Sequence, residues 1–154
     1  MKWNLLSIIV LLGTMIMGCS NDGLSGEEPP KATIKIANKS YPTTLGSYCW
    51  HSKGEGICAD TAGPVDLLEG KKPIEVKAGE QITFEMDYEP KPNEIHVSQI
   101  YNNKETEVQV ENNRFSAPME KGIYYYSYGT GWMDEKQENV SNGDAMYAFV
   151  IEVK

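Results

Sequence analysis

The chain has 154 residues, 14 of them basic and 22 acidic, for a formal net charge of −8. That balance disfavours nucleic acid and anionic membrane surfaces as partners, and reads as a solvated surface that resists aggregation. A single arginine, Arg114, argues against an arginine-lined phosphate or carboxylate pocket.

The N-terminus reads in three parts. Lys2 supplies a positive start, residues 5–16 form an apolar run broken only by Ser7, Gly13 and Thr14, and Gly18 supplies the small residue a cleavage site needs. The run is short of the roughly 20 residues that span a bilayer, so it reads as a signal segment over residues 1–18. Its end, Ile16-Met17-Gly18-Cys19, resembles the lipobox of bacterial lipoprotein signal peptides. The resemblance implies that Cys19 becomes the mature N-terminus and carries lipid on its sulfur. The protein would then be anchored by acyl chains such as palmitate on the extracytoplasmic face of the cell membrane. Two or three chains hold stably, because each buried methylene contributes about 0.8 kcal/mol. Residues 20–31, SNDGLSGEEPPK, have almost nothing to bury. They are expected to form a flexible tether, reaching at most about 40 Å when extended. Residues 32–154 then suffice for one core.

Assigning Cys19 to lipid leaves Cys49 and Cys58, an even pair in a compartment that permits disulfides. A bridge closing so short a loop contributes roughly 2.5–3 kcal/mol in the chain-entropy model. Two free thiols are the alternative. A metal site built from Cys49, His51 and Cys58 is weaker, with three local donors and no CxxC spacing.

From residue 32 the hydrophobic period is two. Ile34 and Ile36 share a face, as do Ile82, Phe84, Met86 and Tyr88, then Ile95 and Val97, and Val108 and Val110 within 105–111. The last strand sets Tyr147, Phe149, Ile151 and Val153 inward, with Met146, Ala148, Val150 and Glu152 on the other side. Such alternation marks half-buried strands. Turn signals fall between them at Ala78-Gly79-Glu80, Pro90-Lys91-Pro92-Asn93, Asn102-Asn103, Asn112-Asn113 and 141–144. The pattern predicts an all-β antiparallel sandwich or barrel.

One motif narrows the choice. Glu120-Lys121-Gly122-Ile123-Tyr124-Tyr125-Tyr126 resembles the immunoglobulin-like pattern acid, any, Gly, any, Tyr, any, Cys. The resemblance implies an immunoglobulin-like β-sandwich with Gly122 and Tyr124 forming a tyrosine corner. Tyr126 stands where that family has its second core cysteine, so no core disulfide of the antibody type is expected.

Residues 40–72 show few strand signals and read as a long, stapled excursion. Trp50 and His51 within it are candidate binding residues, since loops on a rigid sandwich carry recognition. Trp50 as a core plug is the competing reading. Residues 129–144 hold Trp132, which is either an exposed anchor or a lid over the sandwich end. The nearby acids Asp134, Glu135, Glu138 and Asp144 lack the spacing of a calcium loop and read as a solvated run. No catalytic motif is present, and His51 and His96 are the only histidines. A blue-copper set would need a reduced cysteine near the C-terminal hairpin, where there is none. The expectation is a non-catalytic binding or sensing module without cofactor or metal, and with an extracytoplasmic protein partner. A surface protease inhibitor presenting the stapled loop is the alternative.

Overall fold

The computed structural model describes residues 23–154; the lipobox and Cys19 lie outside the described residues. Eleven strands and one short helix follow in order: β1 Ala32–Ile36, β2 Lys39–Pro42, β3 Thr44–Ser52, β4 Glu55–Ala59, α1 Pro64–Leu67, β5 Ile74–Val76, β6 Gln81–Met86, β7 Glu94–Tyr101, β8 Lys104–Glu107, β9 Arg114–Ser116, β10 Gly122–Met133 and β11 Ser141–Val153. They form two sheets. The smaller has four strands in the order β2-β1-β6-β9. The larger runs β4-β3-β11-β10-β7-β8, with β5 joining β11 in parallel. All other pairings between strands are antiparallel. The chain is an all-β, immunoglobulin-like sandwich.

The core lies between the two inner faces and is largely aromatic. Ile34, Ile82, Phe84 and Phe115 from the smaller sheet meet Tyr124, Tyr126, Tyr128, Tyr147, Phe149 and Ile151 from the larger. Phe84 stacks on Tyr128 with ring centroids 3.9 Å apart, and Tyr126 stacks on Phe149 at 4.9 Å. The larger sheet is the wider one, so its edge strands overhang. All of β8 is exposed, and β4 has no buried residue.

The tyrosine corner forms as the motif implies. Tyr124 is buried and its hydroxyl donates to the Glu120 carbonyl at 2.9 Å. Tyr101 stacks across Tyr124 with centroids 4.4 Å apart, and Gly122 makes the room: a Cβ there would lie 2.7 Å from the Tyr101 ring. Tyr126 fills the cysteine position with a ring rather than a sulfur, packing on Phe149 and Phe115. The asparagine pairs form the tight turns predicted for them. Asn102, Asn103, Asn112 and Asn113 all have φ between 50° and 60°, the left-handed region that asparagine tolerates.

Four expectations need correction. Residues 23–31 are not a free tether within the described part. Gly23 bridges Ser52, Leu24 is buried, the Leu24 N–H donates to the His51 carbonyl at 2.8 Å, and Tyr147 donates to the Pro30 carbonyl at 2.7 Å. The segment is a strap across one end of the sandwich. Leu24 provides the driving force, since burying one leucine contributes roughly 1.5–3 kcal/mol. Residues 40–72 are not one excursion, because β3 and β4 form a paired hairpin turned by Lys53-Gly54, leaving 60–72 as the longest stretch outside strands. The strand expected at 105–111 is Lys104–Glu107, and Val108 and Val110 follow it packed against the core. The outer side of β11 is not uniformly solvated either, since Leu68 after α1 covers Ala148 and Val150 in a second small cluster.

Candidate functional site

The two tryptophans singled out in the sequence are core residues. Trp50 is 1 % exposed and Trp132 is 2 % exposed. Their rings meet edge to face at 4.9 Å, and Tyr88 packs on both. The Trp50 indole N–H donates to the Gly26 carbonyl in the strap, and that of Trp132 to the Pro90 carbonyl. Neither stands out from the surface as an exposed anchor. Close packing there requires Gly143, where a Cβ would lie 2.7 Å from both Leu24 Cδ1 and Trp50 Cε3.

Cys49 and Cys58 form the disulfide, on directly opposed positions of β3 and β4 with Cα atoms 4.1 Å apart. Trp50 faces the core, so Cys49 and His51 face outward. His51 is exposed and its ring lies over Gly56, where an added Cβ would sit 2.8 Å from the imidazole. The segment between the cysteines is therefore a regular hairpin and not a projecting loop. Cys19 lies outside the described residues.

The outer face of the larger sheet holds a feature that the sequence reading missed. Gly129 and Gly131 alternate on the outward side of β10, the middle strand of the face, and leave a furrow of about 400 Å³. On one side stand Glu94 and His96 of β7, register partners of Gly131 and Gly129. On the other stand Asp144 and Met146 of β11, partners of the same two glycines. Ser47 of β3 lies at the rim, bonded to Asp60 at 2.8 Å. Glu94, His96 and Asp144 are exposed. The signal that could have found the furrow is the spacing itself: two glycines at period two within a strand remove both side chains from one face.

A second hollow, of about 610 Å³, opens at the strapped end between Pro90-Lys91 and the turn after β10, with Trp132 and Leu24 in its lining. Its walls are largely loop residues, whereas the furrow is built on paired strands. Groups held on strands keep their geometry better than groups on loops.

The ionisable groups that burial holds away from their ordinary values are core tyrosines. Burial alone pushes Tyr128 up to about 12. Burial also raises Tyr126, with a smaller contribution from Tyr124, and raises Tyr147. These hydroxyls are structural and line no opening. Among the described residues no three His, Cys, Asp or Glu side chains converge as a metal site. No protein-family model, curated protein or solved structure matches the chain.

Proposed function

We propose that the chain is a lipid-anchored, extracytoplasmic, non-catalytic binding module, with the furrow over Gly129 and Gly131 as its recognition face. The observation that carries this reading is the furrow itself. It is a concave surface on rigid strands whose rim offers two carboxylates, an imidazole and a thioether to a partner. The core behind it is filled by stacked rings, which suits a platform for recognition. The lipobox-like run at Cys19 supports anchoring through lipid, and the strap supports a short standoff. From Cys19 to Gly23 the chain can span at most about 14 Å, in place of the 40 Å of an undocked tether.

A protein partner fits the furrow best, since it is a shallow hollow crossing β7, β10 and β11 that suits a protruding side chain of a partner rather than an enclosed small molecule. Site-specific photocrosslinking in intact cells tests this. A crosslinker at Ser47, on the furrow rim, is expected to capture a discrete extracytoplasmic protein, and the Glu94→Gln/Asp144→Asn double variant is expected to weaken capture at least about fivefold. The same crosslinker at Lys35, on the smaller sheet, is expected to capture nothing. Equal capture from both faces would remove the furrow as the recognition face. The anchor is tested apart from it: Cys19→Ser is expected to release the protein from membranes.

A further inference from the structure

We infer that the Cys49–Cys58 disulfide is an exchange site, open to attack by an exported dithiol while the sandwich stays folded. Two observations carry this. Cys58 is exposed on β4, the terminal strand of the larger sheet, which among the described residues pairs only with β3. An attacking sulfur must approach a disulfide sulfur directly, and access is one of the factors that set its rate. Next, β4 has no buried residue, so loosening it uncovers no core. Trp50, its neighbour on β3, is held from the other side by Tyr88, Trp132 and the Gly26 carbonyl.

The chemistry follows from these positions. A partner thiolate attacks Cys58 Sγ, a mixed disulfide forms there, and the electron pair of the broken S–S bond leaves on Cys49. The Cys49 thiolate takes its proton from solvent; Asp144, the register partner of Cys49 on β11, opposes negative charge at that sulfur and so slows its departure while leaving Cys58 the readier thiolate. The second thiol of the dithiol then attacks the mixed disulfide and releases Cys58. This chain gains two electrons and two protons, and the dithiol becomes a disulfide. The exchange site adjoins the furrow at Asp144, which lines the furrow and is the register partner of Cys49, while Cys58 lies outside it.

The test uses the full chain with dithiothreitol as the probe dithiol. Thiols are trapped by maleimide and assigned by peptide mapping, so that Cys19 is scored separately. Alkylation of Cys49 and Cys58 is expected to be first order in dithiol with an unchanged near-UV circular dichroism spectrum. Alkylation that appears only as the near-UV signal collapses would overturn the inference, because the bond would then open only by unfolding. A second measurement covers a poorly folding variant. Glutathione disulfide is expected to modify Cys58 in Cys49→Ser at least about tenfold faster than Cys49 in Cys58→Ser. Equal or reversed rates would also overturn it.

Discussion

The β10–β11 ribbon and the β3–β4 hairpin are both antiparallel pairs, the ribbon in regular register up to a shift between Trp132 and Met133, yet they are held by different forces. The ribbon runs through the middle of the larger sheet and buries Tyr124, Tyr126, Tyr128 and Trp132 from one strand and Tyr147, Phe149, Ile151 and Val153 from the other. The hairpin overhangs the narrower sheet. Its outer strand buries nothing, and Ile57 is 50 % exposed. The ribbon is held by packing on the facing sheet and the hairpin's free strand by a covalent bond. Pairing geometry alone therefore does not make a strand part of the core; coverage by the opposite sheet does.

Substitution should separate the two regions most sharply. Tyr126→Ala, at the centre of the ribbon, is expected to cost about 3–5 kcal/mol, while Ile57→Ala on the hairpin should stay within about 0.5 kcal/mol. Denaturant midpoints measure both, and similar losses would dissolve the distinction. Alkaline pH probes the ribbon next. Burial raises Tyr128 to about 12 from an ordinary value near 10, so the unfolded chain loses its proton first. Stability is then full below pH 10 and falls as pH climbs from 10 through 12, by about 2–3 kcal/mol from Tyr128 alone. Tyr126 and Tyr147 shift the same way and add to the loss. Thermal melts across that range are expected to show a fall that begins at pH 10, and a flat profile would contradict the burial of these hydroxyls. The smallest effect is expected at the Tyr128 hydroxyl. It is buried without a hydrogen-bond partner, so Tyr128→Phe removes an uncompensated polar group and keeps the stack on Phe84. Stability should be unchanged or higher by up to about 1 kcal/mol. A clear loss would reveal a partner for that oxygen.

The ribbon was legible in the sequence because burial on one face writes a period of two, as at Tyr147, Phe149, Ile151 and Val153. The corner was legible because Gly122 and Tyr124 are a local signature, four residues from the carbonyl that Tyr124 binds. The hairpin was not, because an overhanging strand such as Glu55-Gly56-Ile57-Cys58 has no covered face to impose alternation. Nor was the strap. Leu24 is a lone apolar residue among polar ones, and its burial depends on Trp50, which arrives only when β3 pairs with β11 at Gly143. The same distance left the roles of the two tryptophans open between anchor and core, because the companion of each in the cluster is far along the chain. The furrow escaped for a different reason: it is made by the absence of side chains at Gly129 and Gly131.

The strap has an optical consequence. The described residues contain two tryptophans, and Trp50 and Trp132 both sit in the single cluster beneath it. The indole nearer the strap bonds to it directly. While Leu24 is seated, both fluorophores are dry, and their emission should fall at short wavelength. If the segment after Cys19 is pulled or cleaved and Leu24 lifts away, Trp50 meets water first and the emission moves to the red. The domain thus contains its own unlabelled gauge of whether the chain behind it is seated or released.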